Sequence, residues 1–218
     1  FQPKVEFPVI FSSLSPAIVS HIGNPERFYF GGVALKYNTE AQFSRNLILT
    51  SEINYSLFNN IQDTIAGPGS KMEHVRTDLV QYLKQDDFYL TRMQLDYIWA
   101  IRKNFYAKIS AGIFETMYGG FGGEILFKPF ENNFTVGADL FYVKQRTFEQ
   151  RFDFRDYETL TGHINFGYLL PLGIESNISF GKYLAKDIGY TLDLSRRTAS
   201  GFKAGIYFTR TDVSAELF

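Results

Sequence analysis

The densest group of side chains that could do chemistry lies at residues 144–158, KQRTFEQRFDFRDYE. Cationic and acidic residues alternate there, with aromatic residues among them. Aromatic faces stack on the C–H surfaces of sugars, and arginine–carboxylate groups bind hydroxyls and carboxylates through hydrogen bonds. The segment is predicted to contact a polysaccharide or a partner through Arg146, Arg151, Phe152, Asp153, Phe154 and Arg155. The alternative is a long loop tied by its own salt bridges.

The three histidines, His21, His74 and His163, give little support for catalysis. None lies in a motif that joins a nucleophile to a base and an orienting carboxylate. His163 has Asn165 two residues further on, and we expect a structural hydrogen-bonding role for it. No set of His, Cys, Asp or Glu has the spacing of metal ligands. We therefore predict no catalytic residue, no metal and no cofactor, and the protein is not expected to be an enzyme.

The composition narrows the class of protein. The chain has 218 residues and a net charge of −1, so no nucleic-acid partner is predicted. It has no cysteine, which excludes a disulfide framework. The 23 phenylalanines and 14 tyrosines favour half-buried β-strands. No apolar run is long enough for a transmembrane helix, which needs about 18 residues.

Apolar and polar residues alternate from Phe28 onward, and the pattern predicts strands. In MQLDYIWAI, residues 93–101, one set of alternate side chains is large and apolar and the other is more polar. The pattern predicts about ten strands, each near the length that crosses a bilayer when tilted. They fall within residues 28–38, 47–57, 93–101, 105–113, 124–128, 135–142, 163–170, 174–180, 190–195 and 202–209. Residues 1–27, which are rich in proline, are predicted to be an extended or loop segment preceding the strands of residues 28–218.

The predicted links between strands alternate in length. Short, turn-rich links at 102–104, 131–133, 171–173 and 198–200 alternate with longer ones at 59–86, 118–122, 147–157 and 185–188. Outer-membrane barrels have this asymmetry, with short periplasmic turns and long outer loops. Together with strand length and aromatic residues near strand ends, it favours an all-β fold, a transmembrane antiparallel β-barrel or a large part of one, over a soluble all-β domain.

Two features of the predicted barrel bear on its lumen. Within 59–86, Val75, Leu79, Tyr82 and Leu83 share one helical face, which predicts either a short helix in or over the lumen or an ordinary surface loop. The polar strand faces would line a hydrated channel. The residues predicted to line it are Asp96, Lys108, Asp139, His163, Asn165, Glu175, Asp193 and Lys203.

Several long segments carry a resemblance to a known family: HVRTDLVQYLKQ, LDYIWAIRKNFYAKISAGIFETMYGGFGGEILFKPF, GADLFYVKQRTFEQRFDFRDYETLTGH, GKYLAKDIGYTLDLSRR and SGFKAGIYFTRTD. They resemble the YjbH-like family of outer-membrane proteins from exopolysaccharide and group-four-type capsule secretion systems. The resemblance covers roughly residues 72–212. It implies that the chain is the C-terminal portion of a longer protein.

The resemblance also implies a location and a function. The location is the outer membrane of a Gram-negative bacterium, and the function is participation in exopolysaccharide or capsule secretion, as a conduit or an export-assisting component. The implied partners are outer-membrane lipid, the exopolysaccharide, and periplasmic or outer-membrane secretion proteins. Two alternatives stay open. One is a structural barrel that anchors or encircles another secretion component without conducting, and the other is an outer-membrane barrel hydrolase.

Overall fold

The structure, a computed structural model, describes residues 6–22, 29–60, 78, 81–82, 84 and 87–213. Eleven strands lie in these ranges. They are β1 (Val9–Ile22), β2 (Tyr29–Gln42), β3 (Leu47–Asn59), β4 (Phe88–Arg102), β5 (Phe105–Ile113), β6 (Tyr118–Phe127), β7 (Phe134–Arg146), β8 (Phe154–Leu170), β9 (Ile174–Lys182), β10 (Ile188–Arg197) and β11 (Lys203–Thr211). A 3-10 turn, Pro171–Gly173, connects β8 and β9.

The strands form one antiparallel sheet in which each strand is hydrogen-bonded to its neighbours in the sequence, from β1 to β11. Short links join most of the consecutive strands, and a tight turn can join only antiparallel neighbours. The longer 60–87 link also joins neighbours, β3 and β4. Within the described residues β1 and β11 are the two edge strands, and they are not paired with each other. The all-β antiparallel prediction is therefore confirmed, whereas the described sheet is open.

Two compact units share the strands between them. The first is Phe1–Tyr97, Ser110–Gly120 and Lys144–Glu158, and the second is Ile98–Ile109, Phe121–Val143 and Thr159–Phe218. No helix in the described part of the chain is long and apolar enough to cross a membrane.

The predicted strands correspond one by one to β2–β11, and the structure adds β1 within the segment predicted to be extended or loop. Pro16 and several serines interrupt the alternation of β1, so the pattern was weak there. Pro16 pairs with Leu35 in the neighbouring strand. A proline is tolerated in an edge strand, where its missing N–H can face away from the ladder.

Two predicted links are wrong. Residues 118–122 lie in β6, and the link before it is 114–117. The glycines there allow close packing rather than a turn, since a Cβ on Gly122 would lie 2.3 Å from Cδ1 of Phe141. The loop predicted at 147–157 is limited to 147–153, because β8 begins at Phe154 and its charged residues continue the strand. The predicted helical face in 74–83 lies, apart from Tyr82, outside the described residues.

One face of the sheet carries large apolar side chains that remain exposed. In the second unit, Phe166, Ile178, Leu192 and Phe208 form a row across β8 to β11. Phe166 is 49% exposed and Phe208 is 56% exposed. In the first unit, Leu14 and Tyr37 are likewise paired and exposed. Such cross-strand pairs stabilise a sheet, but these side chains remain exposed on its surface.

The buried side chains contrast with this exposed apolar face. Among the described residues, the largest that are fully buried are Arg146, Tyr82, Met117, Gln145 and Gln150, all in the first unit. Most of them are polar. In a water-soluble protein, large apolar side chains usually occupy the fully buried positions. In this sheet several of those positions hold polar side chains, while many large apolar side chains are exposed.

A substitution at Gly112 in β5 tests how closely this strand approaches β4. Its φ is +128°, and an added Cβ would lie 2.2 Å from the carbonyl oxygen of Met93. We expect Gly112→Ala to lower the free energy of unfolding by about 2 kcal/mol or more, because backbone strain and a backbone clash add. The measurement is denaturant unfolding of the purified protein, followed by fluorescence of its single tryptophan, Trp99.

Gly173→Ala is the matched control for Gly112→Ala. Gly173 also has a positive φ, +70°, but an added Cβ would meet nothing within 4 Å. We expect the control to cost about 1 kcal/mol, from backbone strain alone. Equal losses in the two variants would contradict the close approach of the strands.

Candidate functional site

The polar face of the second unit carries a chain of hydrogen bonds across β7, β8 and β9, which we call the polar relay. Asn177 Nδ2 donates to Ser179 Oγ at 3.2 Å, and Ser179 Oγ donates to Asn165 Oδ1 at 2.6 Å. Asn165 Nδ2 donates to Asp139 Oδ1 at 2.9 Å. The other carboxylate oxygen, Asp139 Oδ2, lies 3.1 Å from Nδ1 of His163. The period of two along each strand puts all five side chains on one face.

Asp139 orients the imidazole of His163. An ionised carboxylate accepts the hydrogen of Nδ1, which fixes the tautomer of a neutral imidazole. The edge of the ring packs against Tyr183, with ring centroids 4.9 Å apart. Within the described residues, His163 Nε2 is buried and has no hydrogen-bond partner. The contacts with Asp139 and Tyr183 therefore fix the orientation of the His163 ring within the polar relay.

Ion pairs hold the other polar positions of the second unit. Lys108 Nζ lies 2.8 Å from Glu124 Oε1, and Lys203 Nζ lies 3.2 Å from Glu175 Oε2. Ser195 Oγ donates to Asp193 Oδ1 at 3.1 Å. The face thus carries both signs of charge in neighbouring positions.

The polar face of the first unit has the same character. Gln94 Nε2 and Ser110 Oγ donate to Asp96 Oδ1 at 2.7 Å and 2.5 Å. Lys36 Nζ lies 3.0 Å from Glu52 Oε1. Of the predicted channel-lining residues, the structure brings Asp139, His163 and Asn165 into one network and pairs Glu175 with Lys203. Asp96, Lys108 and Asp193 each contact a different partner.

Arg146 is buried at the end of β7 and binds backbone carbonyls. Its Nη1 donates to the oxygens of Glu115 and Thr116, and its Nη2 donates to the oxygen of Arg151, each at 3.0 Å. The carbonyl groups accept from both terminal nitrogens of the buried guanidinium, whereas its Nε has no hydrogen-bond partner among the described residues. The predicted contact residue Arg146 therefore supports the links 114–117 and 147–153 from within the protein.

Tyr82 joins the 60–87 link to the same region, in an arrangement that we call the Tyr82 clamp. Its hydroxyl donates to the carbonyl oxygen of Arg146 at 2.5 Å, and Gln150 Nε2 donates to the carbonyl oxygen of Tyr82 at 2.8 Å. Gln145 Nε2 donates to Asp78 Oδ2 at 3.0 Å. These contacts fasten the described part of the link to the end of β7.

The remaining residues of the predicted contact segment lie nearer the surface. Phe152, Asp153 and Phe154 are exposed, and Arg151 is exposed although it has interactions within the protein. The guanidinium of Arg155 stacks over the ring of Phe148 at 4.3 Å. In the same segment, hydrogen bonds from its own backbone amide and from Thr147 lower the pKa of Glu149. The segment combines a buried base with an exposed aromatic and acidic tip.

Sequence patterns missed several members of these networks. Asn177 and Ser179 belong to the polar relay, and their signal was the period-two spacing after Glu175 on the same strand. Gln145 and Gln150 belong to the Tyr82 clamp, but no spacing distinguished them from surface glutamines. Among the described residues, no group of three or more His, Cys, Asp or Glu side chains is placed to hold a metal ion.

The described strands form an antiparallel sheet. One of its faces is apolar and exposed, and the side chains of the other are joined by hydrogen bonds and ion pairs. The protein is therefore of the all-β antiparallel class. The model of a family described as "Exopolysaccharide biosynthesis protein YbjH" matches residues 5–218. The chain is also 33% identical over 212 residues to the "Uncharacterized lipoprotein YjbH" of Escherichia coli (strain K12). The match covers 93% of this chain, and the chain spans 30% of the length of that relative. The chain belongs to the YjbH family, which confirms the resemblance seen in its sequence.

Removing Asp139 tests the polar relay. In Asp139→Ala the donors of Asn165 and His163 lose their acceptor in a half-buried site. We expect the free energy of unfolding to fall by about 2–3 kcal/mol, because partly buried donors left unpaired are costly. Asp193→Ala, which removes a single hydrogen bond from Ser195, is the control and should cost about 1 kcal/mol. Denaturant unfolding of the purified variants measures both losses, and equal losses would contradict the relay.

The phenol of Tyr82 gives the clamp a pH dependence. Burial raises the pKa of Tyr82 from 10.0 to about 12. Since the folded protein favours the neutral phenol, the stabilisation is present below pH 10 and is lost as the pH rises through about 12. The difference in phenolate absorbance between the wild-type protein and Tyr82→Phe should therefore have its midpoint near pH 12. A midpoint near the ordinary tyrosine value would mean that Tyr82 is open to solvent.

Proposed function

We propose that the chain forms part of a transmembrane β-barrel in the outer membrane of a Gram-negative bacterium and takes part in secreting an exopolysaccharide. Its role would be that of a conduit or an export-assisting component, and a passive one without catalysis. The observation that carries the proposal is the sidedness of the sheet. One face exposes rows of large apolar side chains, and the opposite face carries hydrogen-bonded polar and charged groups.

The apolar face supports contact with lipid. Ile206 is 73% exposed, and Phe208 on the same face of β11 is 56% exposed. Soluble monomers rarely expose contiguous apolar areas beyond a few hundred Å², because water makes such patches unfavourable. The strands have 9 to 17 residues, and a tilted strand needs about 9–11 residues to cross a bilayer. Acyl chains would cover this face without requiring another protein layer.

The polar face supports contact with water and a hydrated polymer. Its side chains satisfy one another through cross-strand pairs such as Lys108–Glu124 and Lys203–Glu175. Interspersed charges of both signs produce a weak net field, which suits the passage of a neutral or weakly charged chain. In a closed barrel β1 and β11 would pair with each other or with further strands, so that no strand edge meets lipid.

The exposed tip of the 147–153 link is a second point of contact under this proposal. Phe152 and Asp153 are available there, and Arg151 and Arg155 lie beside them. Arg146 would hold the tip in place rather than bind the polymer. The family description, which names exopolysaccharide biosynthesis, supports a polymer rather than a small solute as the cargo.

Deleting the gene tests the proposal directly. Exopolysaccharide outside the cells and polymer retained in the periplasm are measured in the deletion strain and in the same strain carrying the wild-type gene. We expect polymer to be lost outside and to accumulate in the periplasm, with both effects reversed by the wild-type gene. Normal export by the deletion strain would contradict the proposal.

Complementation with Gly137→Tyr separates a conduit from a structural barrel. Gly137 lies on the polar face of β7, where an added Cβ would be 3.3 Å from the oxygen of Ile125. If the protein is a conduit, the variant inserts into the membrane but restores export poorly. Leu140→Tyr, on the apolar face of the same strand, is the matched control. Full restoration by both inserted variants would favour a structural role.

A further inference from the structure

A cavity opens on the polar face of the second unit, where short links join the strands. Its volume is about 350 Å³, and Asn133, Thr135, Gly167, Glu175 and Asn177 are among its lining residues. They come from the β6–β7 link and from β7, β8 and β9. Cavities that hold small ligands begin at about 300 Å³, so this one has room for a compact ligand but not for a long segment of polymer.

Backbone contacts define the walls of the cavity. The amide of Leu169 donates to the carbonyl oxygen of Asn133 at 2.7 Å, which ties the β6–β7 link to β8. Gly167 keeps the space between strands open, since an added Cβ would lie 2.3 Å from Thr135 Oγ1. The backbone register and the missing side chain of Gly167 therefore form part of the cavity wall.

The polar relay orients Asn177 toward this cavity. The amide of Asn177 donates to Ser179 at 3.2 Å, and that hydroxyl donates onward to Asn165. The Oδ1 atom of Asn177 lies 3.7 Å from the Cβ position of Gly167. The hydrogen bond to Ser179 fixes which end of the amide is the acceptor, and a fixed acceptor binds a donor at a lower entropic cost.

The chemistry of the lining suits a polyhydroxylated ligand. Asn133 and Thr135 offer donors and acceptors, and within the described residues their side chains make no hydrogen bond to protein. Asn177 adds an oriented carbonyl. The nearest carboxylate, Glu175, is already paired with Lys203 at 3.2 Å. Neutral amide and hydroxyl groups pair with sugar hydroxyls in both hydrogen-bonding roles. Lys128 also lines the cavity, and its ammonium group can donate to a hydroxyl or a carboxylate of a sugar.

We propose that this cavity is a binding subsite for one polyhydroxylated saccharide unit of the exported polymer. The inference rests on the proposed function and adds to it a place where the polymer is held. In the predicted topology the short links face the periplasm, so the subsite would receive the polymer as it enters. The relay runs from the cavity along the polar face, and it would offer the next hydrogen-bonding groups to the advancing chain.

Binding of oligosaccharides to the detergent-solubilised full-length protein tests the subsite. The probe is the exopolysaccharide of the producing cells, cut to short oligosaccharides by partial acid hydrolysis, and the measurement is titration calorimetry. We expect the double variant Asn133→Ala, Asn177→Ala to bind the probe about tenfold more weakly, the effect of losing two hydrogen bonds. Gln94→Ala, an amide on the polar face of the first unit, is the matched control and should bind as the wild-type protein does.

A second variant helps to distinguish a loss of binding from a loss of the fold. Gly167→Ala narrows the cavity by forcing Thr135 Oγ1 aside, retains Asn133 and Asn177, and should also weaken binding. Retention of the folded form is checked for each variant by its migration in gels before and after heating.

The outcomes separate this inference from the proposed function. Weaker binding in both cavity variants, with the control unchanged, supports the subsite. Unchanged binding in folded cavity variants, or no binding by the wild-type protein, overturns the subsite even if deletion of the gene still blocks export. Normal export after deletion overturns the proposed function, and with it the assignment of the cavity to an exported polymer.

Discussion

The backbone hydrogen-bond ladder, which joins every strand to its neighbours in chain order, is the constraint on which the rest of the structure depends. Because the side-chain period of a strand is two, a slip of one residue between β8 and β9 would move Asn177 and Ser179 to the opposite face. The ladder pairs Asn165 with Ser179, and that pairing creates the polar relay. The same register aligns Phe166 with Ile178 on the apolar side. Both faces therefore follow from one set of backbone contacts.

Buried polar groups provide a second level of order in the first unit. Arg146 holds two links through their carbonyl oxygens, and Tyr82 holds the carbonyl of Arg146 in turn. A buried guanidinium that lost these acceptors would be strongly unfavourable. The position of the 147–153 link thus depends on Arg146, which is buried beneath that link.

Alternation along the sequence was enough to predict β2–β11 and the division into two faces, because both are local properties of a strand. It failed at β1, where Pro16 and the serines weaken the pattern, and at Tyr118, where successive glycines suggested a turn. The site was harder to predict. Asp139, His163 and Asn165 were recognised as polar-face residues, but their hydrogen bonds depend on the register between neighbouring strands, such as that of β8 and β9. Arg146 looked like the other arginines of its segment, and only burial distinguishes it.

The two edge strands bear on assembly. Each exposes a line of backbone N–H and C=O groups along one side, and in hydrocarbon each unpaired group would cost several kcal/mol. In a membrane, the strands of such a sheet would not insert one at a time, because every partly formed sheet has two edges with unpaired backbone groups. The pairing that closes the sheet removes both edges. Insertion and closure would then be a single cooperative event, in which partially paired forms persist only in water or beside a protein that covers their edges.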